Sequence, residues 1–215
     1  LFPEYKILRI IGRISFPIFA FMIAEGCNYT KNKLRYFLVM LSLATVYQVV
    51  YFIYDKSIDM GIFVTVSLSI LIIYSFQNFK QNLFSINASF LEKGYAAIVF
   101  LLTLIIVWFL NISFNIDYGF LGCMAPIFAS LFRSTNNDTP IELKRLDRLK
   151  VHVFTYSIGL LIMTLVYGGI QVWSLLAIPF LLLYSGKRGE KNMKAFFYIF
   201  YPLHFIVLQV ICTLI

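Results

Sequence analysis

Polar residues are sparse along this chain and recur at intervals, so long apolar runs alternate with short polar breaks. About 20 apolar residues in a helix cover the roughly 30 Å hydrocarbon core of a bilayer. Eight such segments can be laid out, at about Ile7–Cys27, Leu34–Tyr54, Gly61–Gln77, Tyr95–Ser113, Asp117–Phe132, Val151–Tyr167, Gln171–Tyr184 and Ala195–Ile215. Backbone groups in hydrocarbon must hydrogen-bond within their own segment, which selects helix. The pattern predicts an all-α fold, a polytopic membrane helical bundle, with residues 1–215 as a single transmembrane domain.

The polar breaks carry their own signals. Gly168–Gly169–Ile170 is too short for anything but a tight antiparallel hairpin. The stretch Asn78–Gly94 is amphipathic enough to lie on a membrane surface. Ser134–Lys150 opens as a polar turn and becomes a charged helical stretch, with Thr139 as N-cap, Pro140 in the first turn and Glu142 as the capping-box acid. Its basic face suits anionic lipid or an anionic cosubstrate, or simply a solvated loop helix. Gly186 is placed to cap the end of the seventh segment.

Composition sharpens the class. The chain is 60% hydrophobic and 13% charged, against about 25% charged in soluble domains. Soluble enzyme classes are thereby excluded. The net charge of +8 does not indicate nucleic acid, because the basic residues follow the alternation of the segments. The first connection holds Lys31, Lys33 and Arg35, the third Lys80 and Lys93, the fifth Arg133, Lys144, Arg145, Arg148 and Lys150, and the seventh Lys187, Arg188, Lys191 and Lys194. The second holds only Lys56 beside Asp55 and Asp59, the fourth carries Asp117 with no basic residue, and the sixth is uncharged. Basic loops stay in the cytoplasm. The odd-numbered connections are therefore expected inside and both ends of the chain outside. The opening LFPEY reads as the middle of a longer protein, and no signal peptide is visible. Cys27, Cys123 and Cys212 lie far apart in apolar surroundings and read as free thiols; no metal-ligand spacing appears.

Charges within apolar segments are the candidates for chemistry, because each costs several kcal/mol to insert. Arg13 lies between Gly12 and Ser15, four residues before Pro17, whose ring frees a backbone carbonyl. Its guanidinium can grip a carboxylate, carbonyl or phosphate. Arg9 shares its helical face and can snorkel to the interface. Glu25 is twelve residues on, about 18 Å along a helix, too far to pair with Arg13. It can orient a substrate, act as a base, or pair with Lys31 or Arg35. Asp117 opens the fifth segment, where it can cap the helix or bind an amine. His204, in FYIFYPLHF, reads as a packing residue or a proton carrier, and His152 as structural. Lys187 and Arg188, between Gly186 and Gly189, form a basic loop able to hold phosphate groups of a cytosolic cosubstrate or merely to obey the loop-charge rule.

Four stretches, GRISFPIFAFMIAEGCNYTKNKLRYFLVML, DYGFLGCMAPIFASLFR, QVWSLLAIPFLLLYSGKRG and KAFFYIFYPLHFIVL, closely resemble the TraX family of membrane proteins, in the family's order. The resemblance implies a multi-helix protein of the bacterial inner membrane. Its named member acetylates the N-terminal amine of conjugative pilin, using acetyl-CoA, and the family is similar to membrane O-acyltransferases acting on extracytoplasmic sugars. It carries over to Gly12, Arg13, Pro17, Glu25, Gly26, Asp117, Tyr118, Gly119, Lys187, Arg188, Gly189, Tyr201, Pro202 and His204. The family has an Asp-His pair in a helix just before LFPEY, so one more helix is expected upstream. It also reads SExPFD where this chain has Thr45–Asp55, TVYQVVYFIYD, with Gln48 in place of the acid.

The resemblance therefore implies an acyltransferase taking an acetyl or other short acyl group from cytosolic acyl-CoA to an amine or hydroxyl outside. The acceptor would be a pilin-like protein N-terminus or a glycan, and the surrounding partner is the lipid bilayer. Arg13 would steady the thioester oxyanion, His204 serve as base or donor, Glu25 and Asp117 assist, and Lys187 and Arg188 contact CoA phosphates. The alternatives are a transporter or flippase with an intramembrane Arg/Glu/His pathway, and a non-catalytic scaffold.

Overall fold

The computed structural model describes residues 6–56, 59–134, 138–186 and 203. In order come α1 (Lys6–Tyr29), α2 (Lys33–Asp55), α3 (Ile62–Phe84), α4 (Phe90–Ser113), α5 (Gly119–Ser130), α6 (Ile141–Leu146), α7 (Leu149–Tyr167), a 3-10 helix (Gly169–Leu176) and α8 (Ala177–Leu182). The starts have local causes. Asn32 accepts the Arg35 backbone N–H at 2.9 Å to open α2. Ser89 and Glu92 form a full capping box at the head of α4.

Five helices are long and apolar enough to cross a membrane: α1 from Arg9, α2 to Ile53, α3, α4 and α7. Two of the eight expected segments, the fifth and the seventh, are too short among the described residues to be counted with these. α5 has 12 residues, about 18 Å of helix, and its buried Pro126 and small residues make it an inner element. The seventh segment breaks into a 3-10 helix and a short α8, after Gly168 and Gly169 turn the chain at φ 59° and 54°. That double turn gives the expected hairpin, with the 3-10 helix and α8 both packed on α7. The eighth segment, Ala195–Ile215, and Cys212 lie outside the described residues.

A second correction concerns Asn78–Gly94. No surface loop forms there; α3 continues to Phe84, and only Ser85–Ser89 separates it from α4. The polar residues after Gln77 suggested an exit from the membrane, but the helical hydrogen bonds run on through them. Thr139 is not the N-cap of α6 either. Pro140 takes that place with ψ 144° and no side-chain cap bond, so the helix starts one residue later. Gly186 (φ 72°) follows a helix that already ended at Leu182 and so does not cap it.

Neighbouring helices alternate in direction. Asn28 of α1 bonds Gln77 of α3 at 2.6 Å, and Thr65 of α3 bonds the Asp117 carbonyl just before α5, so α1, α3 and α5 run the same way. α2, α4 and α7 run back: Tyr36 sits against Gly26, Tyr47 against Gly61, Phe79 near the end of α3 stacks on Phe100 in the first half of α4, and Tyr167 sits against Gly119. Among the described residues, the α1–α2 and α5–α7 connections, which carry the loop Lys and Arg, therefore gather at one end, with Glu25. The acidic, Gly-containing connections gather at the other, with Arg13. There the Met60–Ile116 bridge ties the α2–α3 and α4–α5 connections side by side.

Burial follows this plan. More than half of the α3 span is buried (56%), against 11% for α2 and for α4, so α3 is the inner helix. The outer faces of α2 and α4 expose Leu38, Val49, Phe52, Leu101, Ile105, Phe109 and others. An apolar exterior of this extent is costly in water and natural against lipid. The arrangement is that of a multi-pass membrane protein. One core cluster joins Phe16, Phe21, Ile70, Ile73, Tyr156 and Leu160, and a second joins Ile72, Val107, Cys123 and Ile127. Cys27 and Cys123 are buried free thiols.

Candidate functional site

The charged residues within the bundle form two groups, one at each end. At the first, the Arg13 guanidinium carbon lies 4.6 Å from the centre of the Tyr118 ring. That ring also stacks on Phe16, with centroids 3.7 Å apart and planes 15° from parallel. The Tyr118 hydroxyl points to the Gly12 carbonyl at 3.4 Å. Arg13, Phe16 and Gly12 share one side of α1, as spacings of three and four residues require. No carboxylate lies within ion-pair distance of Arg13 among the described residues. The ring's π-face partly replaces the lost hydration of the cation.

Tyr118 is held in an uncommon backbone state. It has φ 62°, and Gly119 follows at φ 58°. A left-handed non-glycine residue costs on the order of 1–2 kcal/mol and persists only where its surroundings impose it. Here the surroundings are rigid. The Asp117 N–H donates to the Met60 carbonyl at 2.9 Å, and the Thr65 hydroxyl donates to the Asp117 carbonyl at 2.6 Å. Gly122 leaves room for the Tyr118 Cβ, and the Tyr167 hydroxyl meets the Leu121 N–H at 3.4 Å.

Asp117 is therefore not a helix cap, contrary to one sequence expectation. The two left-handed residues after it swing it off the start of α5, which has no side-chain cap bond. Its carboxyl is exposed at its edge yet crowded by neighbours. Burial pushes its pKa up, Arg13 pulls it down, and Asp59 pushes it up. Burial likewise raises the Tyr118 hydroxyl. Asp59 accepts from Asn115 at 3.0 Å, and the Gln48 amide donates to the Asp59 carbonyl at 3.1 Å. Gln48 thus sits at this end, with its own Oε1 buried and unpartnered.

At the opposite end Glu25 is 3% exposed and ion-pairs with Arg133, not with Lys31 or Arg35. Both expected loop partners lie exposed beyond the end of α1. Arg133 also lies over the Tyr29 ring, 5.3 Å from its centre. Lys80, 5% exposed, donates to the carbonyls of Leu131 at 2.7 Å and Arg133 at 2.5 Å, and more distantly to Ser130 at 3.3 Å. An ammonium there satisfies the orphan carbonyls that end α5 and meets the negative pole of its dipole. Asp147 accepts from the Ser134 N–H at 3.0 Å and pairs with His152 Nε2 at 2.9 Å. Glu25 Oε2, Arg133 Nε, Ser130 Oγ and His152 Nδ1 are buried with no hydrogen-bond partner among the described residues.

Of the residues singled out from sequence, the structure thus brings Arg13 and Asp117 together and sets Glu25 apart. His204, Lys187 and Arg188 lie outside the described residues. The chain leading to Lys187 comes to the Glu25 end: Tyr184 meets Phe21 edge-on at 6.3 Å and Gly186 lies against Leu149. Arg133 and Lys80 were read from sequence as loop charges. A signal for Lys80 exists, because Val66, Ile70, Ile73, Gln77 and Lys80 recur at spacings of four and three on one buried stripe. No group of three or more His, Cys, Asp or Glu side chains is placed to hold a metal among the described residues.

Comparison with known proteins adds two findings. The sequence model of a family described as "TraX protein" matches residues 2–212. An uncharacterized protein of Rickettsia prowazekii (strain Madrid E) is 33% identical over 122 residues, which are 55% of this chain and 42% of that protein. The chain thus spans about two fifths of the length of the curated relative it matches. No solved structure matches.

Proposed function

This chain belongs to the TraX family, and from that premise we propose that it is an integral-membrane acyltransferase of the bacterial inner membrane. It would move an acetyl or other short acyl group from cytosolic acyl-CoA to an amine or hydroxyl presented outside, on a pilin-like N-terminus or a glycan. The Glu25 end, where the basic connections gather, is then cytoplasmic, and the Arg13 end faces the acceptor.

The observation that carries the reading is the state of Arg13. A permanent cation inside a membrane-spanning helix rests on an aromatic ring and, among the described residues, not on a carboxylate. A guanidinium has five N–H donors, so beyond its contact with Tyr118 it would have donors to spare for a charge that appears only during reaction. In acyl transfer the lone pair of the acceptor's amine nitrogen or hydroxyl oxygen attacks the thioester carbonyl carbon. The thioester carbonyl oxygen becomes an oxyanion, the carbonyl re-forms as the C–S bond breaks, and the acceptor's proton ends on the CoA sulfur. Arg13 would hold the oxyanion. Asp117, whose pKa burial and Asp59 push up while Arg13 opposes, would take the acceptor's proton or orient its amine. Lys187 and Arg188 would contact the CoA phosphates, and His204 would serve as a second proton carrier.

The test is transfer of labelled acetyl from acetyl-CoA in membranes carrying the full-length protein. Arg13→Ala is expected to lower kcat on the order of 100-fold or more, as loss of one oxyanion donor does, with Arg13→Lys recovering part of it. Normal transfer by Arg13→Ala overturns the assignment. Substrate flux into liposomes without acyl-CoA would replace the enzyme with a transporter.

A further inference from the structure

Among the described residues, hydroxyl side chains in the spans mostly bond within their own helix. Ser67, Ser69, Thr103, Ser157 and Thr164 each donate to a carbonyl three or four residues earlier, the usual outlet for a hydroxyl in a helix. Thr65 does otherwise. It is fully buried in α3, and its hydroxyl donates at 2.6 Å to the Asp117 carbonyl, 52 positions on. That carbonyl and the Tyr118 N–H belong to one planar peptide unit. The bond therefore fixes the plane from which Tyr118 departs at φ 62°. The peptide unit on the other side of Asp117 is fixed as well, by its N–H on the Met60 carbonyl at 2.9 Å. Asp117 is thus pinned on both sides, once by backbone and once by a side chain. The Thr65 methyl faces Gly122, beneath the Tyr118 Cβ.

We propose, resting on the roles of Arg13 and Asp117 given above, that Thr65 is the positioning residue of the Arg13 site: its hydroxyl sets both the direction of the Asp117 carboxyl and the place of the Tyr118 ring beside the Arg13 guanidinium. Both groups hang from one short stretch of backbone. The ring lies 4.6 Å from the guanidinium carbon and stacks on Phe16 at 3.7 Å, so a turn of the Asp117–Tyr118 peptide plane moves the seat of the cation. The same turn re-aims the carboxyl one residue before. The Met60 bond is made by backbone and survives side-chain substitution; Thr65 supplies the hold that a substitution can release. Once released, Tyr118 relaxes out of the left-handed region, which an L residue occupies only under constraint. A misplacement of about 1 Å in a reacting constellation costs on the order of 100-fold in rate. Groups that only bind acetyl-CoA at the Glu25 end are untouched by it.

The experiment measures transfer of labelled acetyl from acetyl-CoA by the full-length protein in membranes. Thr65→Val keeps the shape of the side chain and removes its hydroxyl. It should lower kcat per folded molecule about 10- to 100-fold and leave KM for acetyl-CoA unchanged. Thr65→Ser restores the donor and should recover most of the rate, although it lacks the methyl. A second readout needs no activity: fluorotyrosine in place of Tyr118 gives a fluorine resonance that reports the cation beside the ring. Thr65→Val should move that resonance toward its position in Arg13→Ala, and Thr65→Ser should keep it near the parent's. Should Thr65→Val fail to fold, Thr65→Cys, with only a weak donor, should be slower than Thr65→Ser and shifted further toward Arg13→Ala. Full kcat in folded Thr65→Val, Thr65→Cys equal to Thr65→Ser, a rate loss that Thr65→Ser does not recover, or a resonance indifferent to the hydroxyl or to Arg13 overturns the inference. A parent that transfers no acetyl overturns the acyltransferase reading instead, and the fluorine resonance then decides alone whether Thr65 seats Tyr118 beside Arg13.

Discussion

Two glycines flank the Arg13–Tyr118 contact, and the same methyl group should act oppositely at each. Gly122 lies in α5 beneath Tyr118. A Cβ there meets Phe16 Cζ and Thr65 Cγ2 at an ordinary 3.6 Å but runs into Tyr118 Cβ. That atom is the root of its side chain, so no rotamer change relieves the overlap, and the Tyr118 backbone is already fixed by the Met60 and Thr65 bonds. One excess methyl group in a packed site costs about 1–3 kcal/mol, against a helix-propensity gain of up to about 1 kcal/mol for Gly→Ala. Displacing the ring also loses up to about 1 kcal/mol each from its stacking and cation contacts. Gly122→Ala should therefore destabilise by about 1–3 kcal/mol. At Gly12, in α1, nothing described lies within 4 Å of an added Cβ. Gly12→Ala should keep the full propensity gain and stabilise by up to about 1 kcal/mol. Thermal unfolding in detergent should place the two variants on opposite sides of the parent, at about 2–4 °C per kcal/mol for a chain of this size. Equal or inverted shifts would refute the idea that Gly122 exists to seat Tyr118.

At the other end, Glu25→Leu or Arg133→Leu alone should cost about 3–5 kcal/mol, because each leaves a buried charge unpaired. The double change should cost less than the sum of the two, so an additive cycle measured by unfolding would show that the pair is not coupled. Asp117→Asn probes the pH dependence. A carboxyl whose folded pKa lies above its unfolded value of about 3.8 weakens the fold as pH rises through that window, since the unfolded chain then ionises more readily. Asp117→Asn should stabilise the protein at neutral pH, and the gain should disappear below the unfolded pKa; a constant gain at all pH values would assign it to packing.

The helices were legible because hydrocarbon imposes one rule on the backbone, and apolar runs record it directly. The clustering of loop charges at one end was legible for the same reason. What the pattern hid were polar residues that face inward. Lys80 looks like a cytoplasmic loop charge until its place on the Val66–Gln77 stripe is noticed. A lysine that ends another helix's carbonyl ladder has no distinct sequence mark. Arg133 is similar: its partner lies 108 positions earlier in the chain, and no local spacing encodes that. The shortness of α5 and the break at Ser174–Ala177 were hidden because interior helices can be apolar all round at any length. Tyr118 was noticed only as part of an Asp-Tyr-Gly stretch; its left-handed backbone follows from the Met60 bridge, a contact across 56 residues.

The two charged groups are unequal, and that inequality bears on mechanism. Glu25 and Arg133 neutralise each other, and Lys80 and Asp147 fix the backbone on either side of Arg133. Removing charge there perturbs how α1 meets the end of α5, so losses of activity at Glu25 will be mixed with losses of fold. Arg13 has an aromatic seat, a strained residue supplying it, and no carboxylate in ion-pair contact among the described residues. On the proposed mechanism, an oxyanion forming beside it would meet a donor already oriented by its ring contact, with little reorganisation left to do. A permanent carboxylate in that place would cancel the field that the reaction needs. The separation of Asp117 from ion-pair contact with Arg13 is thus a requirement of the proposed chemistry. Bringing the two into contact, for example with the longer side chain of Asp117→Glu, should slow transfer while leaving the fold intact.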